Sequence, residues 1–209
     1  MVYIFHNRNF NILQKKKQMI NSFEKHIEMG NNLIENDKPE IARKCFQKAL
    51  SLKIENHVAL DGLAWTYHME GNDTKARQLL ERSIKKNPNF AEAYTDLGCV
   101  LYELGDINQA EKMHKKCLEL DPTRDDAKWN LAHLYFSVQR YEEMEKFLEK
   151  AEDILENKSE ILQLLGEVKI MKKDFSKARD IFSKCLEIDE HNVEAGILLT
   201  YIELQMKEK

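Results

Sequence analysis

The sequence predicts an all-α fold built from a 34-residue helix–turn–helix repeat that occurs five times and is followed by one more helix. The chain matches itself when it is shifted by one repeat. The seventh place of the repeat holds Met29, Leu63, Leu97, Leu131 and Leu165. The eighth place holds Gly30, Ala64, Gly98, Ala132 and Gly166. The twentieth place holds Ala42, Ala76, Ala110, Met144 and Ala178. Because the three series share one register without insertion or deletion, they indicate an array of like units.

Composition supports the same fold class. The 209 residues include only 7 Gly and 3 Pro, which leaves little material for long linkers. With 43% hydrophobic and 33% charged residues, many of them Lys, Glu and Leu, the chain suits amphipathic helices. We therefore expect one continuous solenoid and not two small domains.

Each repeat is expected to fold as two antiparallel helices, as residues 91–124 illustrate. The first helix is predicted over residues 91–104, followed by a turn at Gly105 and Asp106. Asp106 is suited to cap the second helix, because its carboxylate can accept a hydrogen bond from a backbone N–H of the first turn. The second helix is expected to end before Pro122, since proline cannot continue the helical hydrogen bonds.

This repeat resembles the tetratricopeptide repeat (TPR). The matching places hold Tyr94, Leu97, Gly98, Leu101, Ala110, His114 and Pro122. Leu101 and His114 depart from the family pattern, because each stands where an aromatic residue is usual. The resemblance extends over residues 23–192 and implies a right-handed superhelix whose first helices line a concave surface.

The chain then divides in order into a leader, five repeats and a final helix. The repeats are residues 23–56, 57–90, 91–124, 125–158 and 159–192. Residues 193–209 are expected to form a helix whose polar end caps the last repeat. Residues 1–22 contain Arg8 and three lysines but no acid, so this leader carries +4 of a chain whose net charge is −4. It is interpreted as a disordered tail or, up to residue 18, as an extension from a misassigned start.

No catalytic motif is present, and the repeats occupy nearly the whole chain, so we expect neither an enzyme nor a cofactor. The four cysteines form no C-x-x-C pair. His68, Cys99 and His133 fall on neighbouring first helices, but they lack a recognised metal-ligand spacing, and no metal site is predicted.

Charge and hydropathy limit the partners. A net charge of −4 disfavours nucleic acid, and no apolar stretch approaches the ~18 residues of a membrane span. A cytoplasmic protein that binds a protein or peptide is therefore expected, without nucleic-acid or membrane partners. The oligomeric state is left open by the sequence.

The resemblance also implies which residues face the concave surface, namely the second, fifth, ninth, twelfth and thirteenth of each repeat. Among these places, the candidate peptide-binding residues are Asp61, Trp65, His68, Met69, Glu92, Thr95, Cys99, Tyr102, Glu103, Asp126, Trp129, His133 and Phe136. One interpretation is that the aromatic residues only pack between helices. The other is a groove for a basic or amphipathic peptide. Alternatively, the chain is a scaffold or adaptor that uses its convex or end surfaces, or a regulatory subunit of an enzyme complex.

Overall fold

The computed structural model describes the backbone of residues 2–53, 55–149 and 159–207, and the side chains of residues 14–53, 55–148 and 159–207. Within these residues there are eleven α-helices and no strand, which confirms the predicted fold class. The helices are α1 (Val2–Glu35), α2 (Pro39–Leu52), α3 (His57–Met69), α4 (Asp73–Lys86), α5 (Ala91–Glu103), α6 (Ile107–Leu120), α7 (Asp125–Ser137), α8 (Tyr141–Glu149), α9 (Ser159–Met171), α10 (Phe175–Ile188) and α11 (Val193–Lys207). The end of the fourth predicted repeat, residues 150–158, lies outside the described residues.

The chain contacts form two compact units, Met1–Pro122 and Thr123–Lys209, called here the N-terminal and C-terminal halves. In the N-terminal half each helix from α1 to α5 packs against the next one along the chain. In the C-terminal half α7 packs against α8, α9 against α10, and α10 against α11. A single continuous solenoid stays a prediction.

The helices follow the period of the sequence. Helices α3, α5, α7, α9 and α11 begin at residues 57, 91, 125, 159 and 193, which are 34 residues apart. The carboxylate of Asp106 accepts a hydrogen bond from the Gln109 N–H at 3.3 Å, which confirms the predicted cap of α6. Asn72 and Asp174 cap α4 and α10 in the same way at the same place of the repeat.

In the first, third and fifth repeats, the small eighth residue lies against a ring side chain of the second helix. A Cβ atom placed on Gly98 would lie 2.4 Å from the imidazole of His114, so a glycine is required there. The same contact joins Gly30 to Phe46 and Gly166 to Phe182. Where the eighth residue is alanine, the facing place holds leucine, in the pairs Ala64 with Leu80 and Ala132 with Leu148. A ring thus accompanies glycine, and a branched aliphatic chain accompanies alanine.

The N-terminal segment differs from the expected disordered leader. Helix α1 begins at Val2 and continues without interruption to Glu35, so residues 2–22 extend the first helix of the first repeat. The reason lies in the sequence, because residues 1–29 contain neither glycine nor proline to break the hydrogen-bond ladder.

Helix α11 has both a buried and an exposed apolar face, and its role as a cap stays a prediction. Its inner face is buried in the same core as Phe182 of α10, through Ala195 and Ile202, as a covering helix requires. Its outer face is not a solvating polar surface, since Val193, Ile197 and Leu204 are exposed there. The final helix therefore covers one apolar face and presents another.

Candidate functional site

A cavity of 260 Å³ lies between α1, α3 and α5 in the N-terminal half. Its lining residues are Asn31, Ile34, Glu35, Asp61, Gly62, Trp65, Glu92 and Asp96. The cavity forms where the first helices of three successive repeats run side by side, and its lining includes the exposed Glu92 and the buried Asp61, which is only 5% exposed. Three of the sequence-predicted residues, Asp61, Trp65 and Glu92, meet there.

A second cavity of 560 Å³ continues along α1 and shares Asn31 and Glu35 with the first. It is further lined by Phe23, Glu24, Ile27, Glu28, Asn32 and Val58. The residues that line the two cavities are called here the acidic groove. The groove contains six carboxylates, those of Glu24, Glu28, Glu35, Asp61, Glu92 and Asp96, and its described lining includes no lysine or arginine.

Trp65 forms an apolar wall in this acidic setting. Its ring centroid lies 4.8 Å from that of His68, in a tilted arrangement. His68 is itself held by a hydrogen bond of 2.6 Å between its Nδ1 atom and the Asp73 carboxylate. Packing against a fixed neighbour limits the motion of the indole, which suits an anchor for a ligand side chain.

The other predicted residues of the N-terminal half have different environments. Met69, Cys99 and Tyr102 are partly exposed on α3 and α5, and Glu103 is exposed at the end of α5. Thr95 does not fit its predicted role, because its side chain is 2% exposed and its hydroxyl donates a hydrogen bond to the Cys117 sulfur at 3.0 Å. A small polar residue can turn inward when the facing helix offers it a partner.

Four predicted residues, Asp126, Trp129, His133 and Phe136, lie on α7 in the C-terminal half and are not among those lining the acidic groove. The Trp129 and His133 rings are stacked, with centroids 4.9 Å apart. Phe136 packs against Tyr141 with a centroid separation of 5.9 Å.

The charge of Asp126 is engaged locally. The Arg124 guanidinium donates a hydrogen bond of 2.9 Å from Nε to the Asp126 carboxylate. Burial opposes ionisation of Asp126, but the hydrogen bonds and the charge of Arg124 outweigh it and hold the pKa of this carboxyl below its ordinary value. This acid is therefore partly neutralised by its own half of the chain.

Sequence reasoning missed several groove residues. Asn31, Ile34 and Glu35 occupy the ninth, twelfth and thirteenth places of the first repeat, so the same rule, applied one repeat earlier, would have found them. Asp96 occupies a sixth place, for which the rule gives no signal. The acidic character of the groove is therefore stronger than the sequence alone suggested.

The carboxylates of the groove come from three separate helices. Among the described residues no group of three His, Cys, Asp or Glu side chains is placed to hold a metal ion. No helix in the described part of the chain is both long and apolar enough to cross a membrane.

Comparison with known families is decisive for the fold. Three models described as tetratricopeptide repeat match residues 58–89, 91–124 and 124–191, which together make up more than half of the chain. The chain belongs to the tetratricopeptide-repeat family. Repeats of this family generally mediate protein–protein interactions.

Individual relatives are distant. The chain is 27% identical to Superkiller protein 3 of Schizosaccharomyces pombe over 166 residues, which cover 73% of this chain and 12% of the relative. It is 31% identical to the small glutamine-rich tetratricopeptide repeat-containing protein of Dictyostelium discoideum over 110 residues, covering 53% of this chain and 33% of the relative. The chain thus spans a third or less of the length of these two proteins.

Solved structures share the fold. PilF of Pseudomonas aeruginosa matches with a TM-score of 0.77 at 16% identity, covering 91% of this chain and 93% of PilF. At this identity the likeness concerns the fold alone.

Proposed function

We propose that this protein captures a basic segment of a partner protein in the acidic groove, without catalysis. The observation that carries the proposal is the concentration of six carboxylates around Trp65 in a groove whose described lining has no lysine or arginine. Repeated first helices place these carboxylates on one surface although they come from three different helices.

The groove can recognise both parts of a long cationic side chain. The aliphatic stem of a lysine or arginine packs against Trp65 and Ile34, while its charged end meets the carboxylates of Glu35, Glu92 and Asp96. Partial burial strengthens these charge–charge contacts, because the surrounding side chains exclude part of the screening water. The same carboxylates repel an acidic segment or a free C-terminal carboxylate, so they also select against such ligands.

Calorimetric titration with two synthetic peptides tests the proposal. One peptide alternates lysine or arginine with leucine, and the other replaces each cation with glutamate. We expect only the cationic peptide to bind, and its affinity to fall as the salt concentration is raised from ~0.05 M to ~0.5 M, because salt screens the charge contacts.

A triple variant identifies the site. Neutralising the groove with Glu35→Gln, Glu92→Gln and Asp96→Asn is expected to weaken cationic peptide binding about 10-fold, since partly exposed charge pairs contribute about 0.5 kcal/mol each. The matched control neutralises three exposed acids outside the groove, Glu81→Gln, Glu119→Gln and Asp180→Asn. Equal losses in both variants, or binding of the anionic peptide, would contradict the proposal.

A further inference from the structure

The outer face of α11 carries an unusual exposed apolar stripe. Val193, Ile197 and Leu204 are 74%, 64% and 55% exposed, and Tyr201 is 44% exposed. At 100° per residue these four side chains fall within about a quarter of the helix circumference. The stripe lies opposite Ala195 and Ile202, which are fully buried, so the exposed residues do not belong to the core that α11 covers.

Acids flank the stripe on both sides. The same helical geometry places Glu194 at one edge and Glu203 at the other, with Lys207 between Glu203 and the stripe, and all three are exposed. Glu194 and Glu203 outnumber Lys207 along these edges, so a partner helix with cationic edges is complementary to the stripe.

Gly196 lies beside the stripe, at the edge that also carries Glu203. A Cβ atom placed on it would have no other atom within 4 Å, so the surface there is open. A partner helix can approach closely at such a position, because no side chain holds it away.

Residues 14–21 of α1 carry exposed apolar side chains flanked by positive charge, which complements the α11 stripe. All of its side chains are exposed, including Met19 and Ile20 at 52% and 56%. Lys15 and Lys17 lie on either side of the Met19–Ile20 surface, and Lys16 lies within it. No acid occurs in residues 1–22, so nothing in this stretch of sequence offsets the positive charge.

We propose that residues 14–21 of one copy of this protein pack against the α11 stripe of a second copy. Met19 and Ile20 then cover Ile197 and Tyr201, while Lys15 and Lys17 meet Glu194 and Glu203. The contact is heterologous, so each chain offers one surface of each kind, and association continues into short chains or closes into a ring. Because one pair of helices buries less than the ~1,200 Å² of a standard interface, the association is weak and concentration-dependent.

Two other pairings fit the surfaces less well. If α11 packed against α11 of a second copy, Glu194 and Glu203 would face like charges. The acidic groove also attracts cations, but it offers fewer exposed apolar side chains to Met19 and Ile20 than the stripe does. The proposal is independent of peptide capture in the groove.

Sedimentation velocity of the full chain tests the self-association. Over about 1 to 200 µM protein at ~0.05 M salt, we expect the weight-average mass to rise above that of the monomer, and to return to it at ~0.5 M salt. A constant monomer mass at low salt over this range would overturn the proposal.

Two charge-reversal variants separate the surfaces. The head variant carries Lys15→Glu, Lys16→Glu and Lys17→Glu, and the tail variant carries Glu194→Lys and Glu203→Lys. Each variant alone is expected to remain monomeric. A mixture of the two allows two attractive contacts, one between the acidic head and the basic tail and one between the native head of the tail variant and the native tail of the head variant. The mixture should therefore regain association, with the two variants in equal proportion.

A control and the groove variant complete the test. Reversal of three exposed lysines elsewhere, Lys44→Glu, Lys48→Glu and Lys112→Glu, changes the net charge as much as the head variant does and should leave association intact. The groove variant Glu35→Gln, Glu92→Gln and Asp96→Asn should also associate normally. Loss of association in the groove variant would instead place the basic segment in the groove, and self-association in the head variant alone would indicate an α11–α11 dimer. Either result overturns the proposal.

Discussion

The two halves of the molecule use equivalent places of the repeat for different surfaces. In α3 of the N-terminal half, the fifth, ninth and twelfth places hold Asp61, Trp65 and His68. In α11 of the C-terminal half, the same places hold Ile197, Tyr201 and Leu204. The contacts between helices are nevertheless alike in both halves, since Gly30 faces Phe46 and Gly166 faces Phe182. The fold therefore depends on the residues that pack between helices, such as Gly30 and Gly166. The residues at the fifth, ninth and twelfth places can differ between repeats and give each half its own surface.

The largest expected effect comes from the buried rings. Phe46 and Phe182 are both fully buried, and their replacement by alanine is expected to cost about 3–5 kcal/mol of stability. The loss should be greater for Phe46→Ala, because this ring contacts both Gly30 and Gly62, where no neighbouring side chain can fill the cavity. Urea unfolding monitored by circular dichroism measures the difference. A loss below about 1 kcal/mol in either half would contradict the equivalence of the two cores.

The second test concerns the eighth residue of each repeat and the facing place of its second helix, where glycine occurs with a ring and alanine occurs with leucine. Gly98→Ala brings a methyl group into the imidazole of His114, and we expect a loss of about 1–3 kcal/mol. Adding His114→Leu recreates the Ala64–Leu80 arrangement and should recover most of that loss. A double-mutant cycle in thermal unfolding measures the coupling. If the two losses were simply additive, the packing rule would be wrong.

Neutralising two carboxylates of the C-terminal half, Glu145 and Glu167, should change the stability of the protein in opposite directions. Burial disfavours ionised Glu145, but hydrogen bonds from Lys169 and Lys172 outweigh it and hold the pKa below its ordinary value. Burial raises the pKa of Glu167. At pH 7 we expect Glu145→Gln to destabilise the protein by about 1 kcal/mol and Glu167→Gln to stabilise it slightly.

The pH dependence of stability follows from the directions of these two pKa shifts. The stabilisation by Glu145 is complete above the ordinary carboxyl pKa of 4.5 and is lost as the pH falls through its lowered native value. Ionisation of Glu167 costs stability as the pH rises from 4.5 through its raised native value. Melting temperatures from pH 3 to pH 8 should show the Glu145→Gln difference only at higher pH. A difference that persists at the acidic end would argue against the ion pair.

The smallest expected change in stability comes from the turn between the two helices of each repeat. The fifteenth place has positive φ throughout and holds Asp37, Gly71 and Gly105 in the N-terminal half and Gln139 and Lys173 in the C-terminal half. Because non-glycine residues are strained there, Lys173→Gly is expected to add about 0.5–1 kcal/mol of stability and Gly105→Lys to remove a similar amount. Equal melting temperatures for all three proteins would contradict this account of the turns.

Much of the fold could be predicted because it follows from local rules. The small residue at Gly98 and the cap at Asp106 are each determined by one contact within a repeat, and both were found in the structure. The basic cluster in residues 1–22 suggested a solvated tail, but no glycine or proline interrupts this stretch, and α1 continues through residues 2–22. The helix forms although residues 2–12 are rich in asparagine, aromatic and β-branched residues, which are weaker helix formers.

The site was less predictable because exposure depends on neighbouring helices. Thr95 occupies a place that usually faces the groove, but Cys117 on α6 offers its hydroxyl a buried partner. Glu35 joins the groove because α1, α3 and α5 come together around it. The stripe on α11 could not be distinguished from core by its sequence, since both faces of that helix are apolar.

The proposed capture of a basic segment is tested most directly by the chain's 2 tryptophans, which lie one in each half. The Trp129→Phe protein reports only on Trp65 in the groove, and the Trp65→Phe protein reports only on Trp129. On titration with the lysine–leucine peptide, the account predicts a saturable change in Trp65 emission that is lost on groove neutralisation, and a constant Trp129 emission. A saturable change in Trp129 emission with no response from Trp65 would contradict it.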